Sequence, residues 1–99
     1  MHPAKVTRDR VKRLTDLPNV GPAFAGDLEL LGINKPEQLR GQDPLHLYQR
    51  LSRKTGVRQD PCVLDTFMSL TDFMSGAPPR TWWSYTKERK QRYGQGLGS

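Results

Sequence analysis

Residues 14–28, which read LTDLPNVGPAFAGDL, decide how this chain folds. Pro18, Gly21 and Pro22 cannot share the interior of one helix, so a helix that precedes them must end here. Pro22 fits only the first turn of a new helix, where its missing N–H costs nothing. The stretch therefore predicts a tight turn and then a helix whose first amides point outward around Gly21. Amides in that arrangement form a cradle for one phosphate group.

The remaining residues also read as helical. Apolar side chains recur at spacings of three and four, and the Asp-Pro pairs and glycines mark helix starts and ends. No segment alternates apolar and polar residues for long enough to predict a strand. The predicted fold class is all-α, a compact domain of five to six helices. The predicted helices cover residues 7–15, 22–31, 44–54, 61–75 and a segment after Thr81, with a helical connector over 34–41.

The length of 99 residues allows one small domain with a single modest core. We expect a disordered N-terminus over residues 1–6 and a helical domain over 7–76. A linker and an aromatic-basic segment follow over 77–93, and the glycine-rich residues 94–99 are expected to form a flexible tail. No apolar run approaches the roughly 20 residues of a membrane span.

Localisation is predicted from the N-terminus and from cysteine usage. No apolar stretch follows the first residues, which argues against a signal peptide. The single cysteine, Cys62, excludes an internal disulfide and suits a reducing compartment. We therefore expect a cytoplasmic protein with no membrane partner.

The formal net charge of +6 is concentrated at the two ends of the chain. Residues 1–13 and 80–99 each carry five basic residues and one acidic residue, whereas the middle carries six basic and eight acidic residues. Basic ends indicate a polyanionic partner, most often nucleic acid. Composition alone supports equally well an interpretation in which charged termini only solvate the chain.

The pattern L-x-x-L-P-N-V-G-P-x-x-A-x-x-L over residues 14–28 resembles the helix-hairpin-helix motif. That motif usually reads glycine, hydrophobic residue, glycine, and here its first glycine position is Asn19. Asparagine tolerates positive φ better than most residues, so the turn can survive, with an added side chain expected near the ligand. Gly21 lets the backbone approach phosphate oxygens, and Val20 anchors the hairpin in the core.

The resemblance implies a function and a set of contact residues. The amides of the hairpin would donate to a DNA phosphate, and the contacts would not depend on base sequence. Duplex or structured DNA is the expected partner, and in some relatives the hairpin carbonyls, here those of Thr15, Leu17 and Val20, also hold a monovalent cation. No other cofactor is expected. The predicted contacts near the hairpin are Asn19, Val20, Gly21, Pro22, Ala23, Arg8, Lys12 and Arg13.

A second hairpin is the other expectation from this resemblance, since such units are commonly paired in tandem, SAM-like domains. The turn over residues 55–61 carries Gly56 and Val57 but lacks the second glycine. Arg58 would be its phosphate contact. An ordinary helix corner explains the turn equally simply, and we favour that interpretation for the turn itself.

A wider likeness covers about residues 10–91. The segments LPNVGP, LGI, RGQDPL, TGVR, DPCVLD and WWSYTKERK together are similar to the small bacterial pathogenicity-locus family, whose members are often labelled mitomycin-resistance-like. The first half is also similar to the C-terminal domain of TfoX-type competence regulators. These labels imply a helical fold and no defined biochemical activity.

The aromatic-basic segment places Trp82, Trp83 and Tyr85 before four cations. Aromatic rings beside cations can stack on bases. For Trp82 we favour packing against the core, and the role of Trp83 stays open.

No catalytic constellation is present, so we predict that the protein is not an enzyme. Cys62 and His46 can in principle pair as thiol and imidazole. Cys62, however, follows an Asp-Pro helix start and precedes apolar residues, which favours packing. The alternative to DNA binding is a protein-interaction module in which the hairpin is only a structural corner.

Overall fold

Residues 6–94 are described in a computed structural model of the chain, and within them every regular element is helical. The four α-helices are α1 (Pro22–Leu30), α2 (Pro44–Thr55), α3 (Pro61–Met74) and α4 (Thr86–Tyr93). Single 3-10 turns lie at Arg8–Arg10, Leu14–Asp16, Pro36–Leu39 and Trp82–Tyr85. The all-α class is confirmed for these residues, with four α-helices. The predictions for residues 1–5 and 95–99 lie outside the described residues.

The centre of the molecule is α3, as its apolar pattern predicts. From Leu64 to Met74 every residue except Asp72 is buried. The serine and threonine hydroxyls on this helix donate hydrogen bonds to carbonyls of the same helix. Thr71 Oγ1, for example, donates to the carbonyl of Phe67 at 3.1 Å. The ring of Phe67 also packs against Phe24 of α1, with centroids 5.2 Å apart. The core therefore forms around α3, which contacts α2, α4 and the turns at Pro36–Leu39 and Trp82–Tyr85, with Phe24 of α1 packed against it.

The Asp-Pro signals place the starts of α2 and α3 correctly. Asp43 caps α2, its side chain accepting the amide of Leu45 at 2.9 Å. Asp60 occupies the N-cap of α3 but makes no side-chain cap hydrogen bond. The predicted stops are also confirmed, since Gly32 follows α1 and Gly56 follows α2 with positive φ values of 79° and 71°.

The helix predicted over residues 7–15 is wrong. The segment forms two 3-10 turns separated by extended backbone at Val11 and Arg13. Asp16 explains the break, because its carboxylate accepts the amides of Lys12 and Arg13 at 3.1 and 2.9 Å. A side chain that binds nearby amides competes with helical hydrogen bonding.

Arginine side chains close the C-terminal ends of two helices. The Nε of Arg8 donates to the carbonyl of Phe73 at 3.0 Å, and its Nη2 donates to that of Ala77. Arg40 donates to the carbonyl of Met74 at 3.2 Å, and Arg50 donates to that of Leu31 at 2.9 Å. Carbonyls at the C-terminal end of a helix lack the amide partners of the helix interior, so these cations supply hydrogen bonds there, and the carbonyl of Phe73 also accepts the amide of Gly76 at 3.1 Å. Part of the positive charge read from the sequence is therefore structural.

The C-terminal segment folds back onto α3 through a buried ion pair. Arg89 of α4 donates to Asp65 of α3 at 2.6 Å, and the exposed fractions of the two side chains are 9% and 1%. Thr86 Oγ1 donates to the second oxygen of the same carboxylate at 2.7 Å. Within residues 6–94 no helix is long and apolar enough to cross a membrane.

Candidate nucleic-acid interface

The turn before α1 has the geometry that its residues predict. The amide of Val20 donates to the carbonyl of Leu17 at 3.4 Å, which closes a four-residue turn. Pro18 stands second and Asn19 third, and Asn19 has a φ of 67°. Proline followed by a residue with positive φ is the pattern of a type II turn. Leu17 and Val20 are buried, so both ends of the turn are anchored in the core.

Asn19 does more than tolerate positive φ. Its Nδ2 donates to Ser69 Oγ at 3.0 Å and to the carbonyl of Arg80 at 2.9 Å. Its Oδ1 accepts the amide of Trp82 at 3.2 Å. The side chain that was expected near the ligand therefore bonds inward through both its amide nitrogen and its oxygen, although Asn19 also lines a cleft beside Gly21. It ties the hairpin to α3 and to the C-terminal segment.

Some backbone amides at the start of α1 donate hydrogen bonds within the protein, and others do not. Val20 uses its amide to close the turn, and Pro22 has none. The amides of Gly21, Ala23 and Phe24 make no hydrogen bond within the described part of the chain; Gly21 and Ala23 are exposed, whereas Phe24 is half-buried. Two backbone donors next to the turn therefore remain available to an external acceptor. The N-terminal end of the helix dipole adds partial positive charge at the same place.

The chain itself does not require glycine at position 21. Gly21 has extended backbone, with φ of −97° and ψ of −177°, which any residue can adopt before proline. A Cβ built there meets no atom within 4 Å. Neither backbone strain nor crowding inside the protein therefore explains the residue.

A cleft of about 430 Å³ opens beside the hairpin. Two parts of the chain line the cleft: Val6, Thr7, Arg10 and Val11 from the N-terminal segment, and Thr15, Asp16, Leu17, Asn19, Val20 and Gly21 from the hairpin and the turn before it. Arg10 lines this cleft, although our sequence-based prediction did not include it among the contact residues. The signal was available in the basic run at residues 8–13, but the helix predicted there placed Arg10 on its outer side together with Arg8, Lys12 and Arg13, and nothing singled Arg10 out as a contact. The two 3-10 turns bring it to the hairpin.

Lys12 and Arg13 are exposed just before the hairpin, as predicted. Their backbone amides are held by Asp16, and these hydrogen bonds, with a smaller contribution from the charge of Arg13, lower the pKa of the Asp16 carboxyl. The side chain of Asp16 thereby fixes the backbone of the two cations without binding the ammonium of Lys12. No hydrogen bond in residues 6–94 uses the side-chain nitrogens of either residue.

Arg8 is placed differently from these two cations. Besides its two hydrogen bonds at the end of α3, its guanidinium lies 4.6 Å from the centroid of the Phe73 ring. The structure thus gives Arg8 a capping role and does not bring it together with the hairpin amides.

Carbonyls at the hairpin were the predicted cation ligands. That of Leu17 accepts the Val20 amide, so a cation there would share it. Within residues 6–94 no group of three or more His, Cys, Asp or Glu side chains could hold a metal ion. The monovalent cation stays a prediction.

The second turn is tied to α2 by hydrogen bonds between Gln59 and side chains of that helix. Tyr48 donates its hydroxyl to the carbonyl of Gln59, and the amide of Gln59 donates to Ser52 Oγ at 3.3 Å. Val57 is 62% exposed, whereas Val20 of the first turn is 7% exposed. Arg58 lines a separate cleft of about 490 Å³ on this side of the molecule. The second turn therefore lacks the buried anchor of the first.

In the C-terminal segment, some side chains are held within the protein and others are exposed. Tyr85 is buried, and Arg80 lies 3.9 Å above its ring. Burial, reinforced by the charge of Asp72, raises the pKa of Tyr85 to about 12. Trp82 is half-buried and Trp83 is 56% exposed. Cys62 is a free, half-buried thiol, and His46 is exposed.

Fold and site define a class: a small all-α domain built on one long buried helix, with two exposed, unused amides and several cations beside a tight turn. The chain belongs to the pathogenicity locus family, whose match covers residues 7–91. It is 51% identical over 78 residues to a mitomycin resistance protein, McrB, of Streptomyces lavendulae. That alignment covers 79% of this chain and 74% of the relative. No solved structure matches significantly.

Proposed function

We propose that the protein binds DNA without sequence specificity, through backbone phosphates held at the hairpin of residues 19–23. The observation that carries the proposal is the pair of unused, exposed amides at Gly21 and Ala23. Both belong to the N-terminus of α1, where the helix dipole favours an anion. Amide contacts of this kind fix the register of a protein on DNA but do not read bases.

Gly21 is compatible with this proposal. A side chain at this position would meet no atom of the protein, so it would project away from the protein beside the two amides. A phosphate that approaches both amides would occupy the space that a side chain would fill. On this proposal the turn and α1 form a helix-hairpin-helix unit whose first helix is reduced to the 3-10 turn Leu14–Asp16.

Three cations on the segment that precedes the hairpin add positive charge that favours an anion. Arg10 lines the cleft beside Gly21, and Lys12 and Arg13 are exposed on the segment that leads into the hairpin. Asn19 contributes indirectly, by holding the turn. We place the protein in the cytoplasm, where DNA would be accessible to it.

The test is the binding of a 20-base-pair duplex to wild type and to Gly21→Val at increasing salt. The valine removes access to the amides, and a hydrogen bond to a charged group contributes about 1.5–3 kcal/mol. We expect binding at least tenfold weaker, with an unchanged helical circular dichroism spectrum. Wild-type affinity should fall with salt, with a log–log slope of about −2.7 if three phosphates are neutralised.

Gly26→Val is the matched control. Gly26 lies within α1, five residues after Gly21 at its N-cap, is exposed, and would meet no atom within 4 Å if it carried a Cβ. This variant should bind like wild type. Equal affinities for all three proteins, or no affinity at low salt, would leave the hairpin as a structural corner of a protein-interaction module.

A further inference from the structure

The exposed indole of Trp83 is the feature that the hairpin does not explain. Trp83 is 56% exposed, and a shallow groove of about 520 Å³ lies against it. The groove is lined by Trp83, Thr86, Lys87, Lys90 and Gln91. No acidic residue lines it.

The charges of α4 are sorted between two sides of the helix. Glu88 pairs with Arg80 at 3.0 Å, and Arg89 is buried against Asp65. Lys87 and Lys90 lie four and seven residues after Trp83, and both are exposed. The acidic residue is thereby neutralised elsewhere, and the groove keeps two cations beside one aromatic ring.

The indole is held in place before any ligand arrives. Trp83 meets Trp82 edge to face, with ring centroids 5.5 Å apart and an interplanar angle of 89°. The amide of Trp82 is bonded to Asn19, so the backbone that carries the pair is fixed to the hairpin. A ring that is already ordered loses little conformational freedom when it stacks on a ligand.

A nucleic acid strand fits this groove better than a protein surface does. Lysine is depleted at the centre of protein interfaces, and one isolated ring gives little of the apolar area that such interfaces bury. An aromatic ring flanked by cations is the arrangement that binds single-stranded nucleic acid, since the base stacks and the neighbouring phosphates meet the charges.

We propose that Trp83, Lys87 and Lys90 form a second binding site, which takes single-stranded DNA. One base stacks on the exposed part of the indole, and the two ammonium groups contact the flanking phosphates. This site goes beyond the duplex contact at Gly21 and does not depend on it. The test therefore uses a different ligand.

The experiment measures binding of a fluorescent twelve-residue oligothymidylate to the full chain at low salt. Trp83→Ala should bind about 5- to 150-fold more weakly, which corresponds to the loss of one stacked base. Trp83→Phe retains an aromatic face and should recover most of the affinity. Leu30→Ala, which truncates another exposed apolar residue, is the control and should bind like wild type.

A second measurement follows the ring itself. In a Trp82→Phe background Trp83 is the only tryptophan, and its fluorescence should be quenched on addition of the oligonucleotide. Unchanged emission under conditions of saturated binding would show that the base lies elsewhere and would overturn the proposal.

The two cations need their own comparison. Lys87→Ala/Lys90→Ala should weaken binding and lower the log–log salt slope by about 1.4, at about 0.7 for each phosphate. Lys35→Ala/Lys54→Ala removes the same charge from other exposed positions. If both double variants lose affinity equally, only overall charge matters and the site is refuted.

The proposed site at Trp83 and the proposed site at the hairpin can be refuted separately. Gly21→Val should leave oligothymidylate binding unchanged, and Trp83→Ala should leave duplex binding unchanged. Wild-type affinity for oligothymidylate in Trp83→Ala would reject the stacking site alone, and the ring would then be a candidate for a protein contact.

Discussion

Asn19 is the residue that connects the hairpin to the rest of the molecule. It combines a φ of 67° with three hydrogen bonds to Ser69, Arg80 and Trp82. Glycine would accept the backbone angle but has no side chain to form the three hydrogen bonds. The side chain therefore explains why asparagine is suited to a position that resembles a glycine site.

The two roles of Asn19 can be separated by two substitutions. Asn19→Gly keeps the positive φ and loses the hydrogen bonds, so the free energy of unfolding should fall by about 1–3 kcal/mol. Asn19→Ala also adds left-handed backbone strain and should lose roughly 1 kcal/mol more. Urea unfolding measures both.

Tryptophan emission provides the control for this pair of variants. Both substitutions release the Trp82 amide, so the spectrum of the folded state should shift equally in the two. An Asn19→Gly variant as stable as wild type would mean that the three hydrogen bonds add no net stability.

Gly21 illustrates the opposite situation at the residue scale. Nothing inside the protein restricts the residue at this position. This is visible only once its φ value and the space around its Cβ position are known. The sequence pattern predicted the position and the geometry of the turn. It could not reveal that the Asn19 side chain faces inward, because its partners lie 50 to 63 residues away.

Among the elements, α2 and α3 were predictable because their start and stop signals are local. The Asp-Pro pairs and Gly56 act within one helical turn, and the apolar stripe of α3 is continuous. The segment before the hairpin was not predictable in the same way. Its conformation depends on Asp16 and on the contact of Arg8 with the end of α3, 65 residues distant.

The docking of α4 depends on one buried charge pair. Arg89 and Asp65 are 24 residues apart, so no helical spacing reveals their contact. Arg89→Ala would leave the Asp65 carboxylate buried with the Thr86 hydroxyl but without a charged partner, and breaking a buried ion pair typically costs about 3–5 kcal/mol. We expect a loss of that size in urea unfolding.

Two further variants test whether the partner or the charge matters. Arg89→Lys keeps the charge but loses the planar guanidinium, and it should still be clearly destabilised. The double variant Asp65→Leu/Arg89→Met removes both charges and should recover most of the stability. If the double variant and Arg89→Ala have equal free energies of unfolding, the loss of stability comes from packing and not from the unpaired carboxylate.

At the scale of the whole molecule, the positive charge of +6 does not act as one uniform surface. Arg8, Arg40 and Arg50 complete helix ends, and Arg89 is buried. Two sets of exposed cations remain that a ligand could contact. One set, Arg10, Lys12 and Arg13, lies on the segment before the hairpin, and the other, Lys87 and Lys90, lies beside Trp83. The sequence placed charge at both chain ends, but only the fold separates structural arginines from exposed cations.

Three double variants that each lower the net charge by two test this division. Lys12→Ala/Arg13→Ala should weaken duplex binding about tenfold and leave oligothymidylate binding nearly unchanged. Lys87→Ala/Lys90→Ala should show the reverse, and Lys35→Ala/Lys54→Ala should change neither by more than about twofold. The expectation rests on screening, because at 0.15 M salt exposed charges interact over only about 8 Å. Fluorescence anisotropy with both ligands at that salt measures all six combinations. If all three variants lose affinity equally for both ligands, binding follows the net charge, and neither set of residues forms a site.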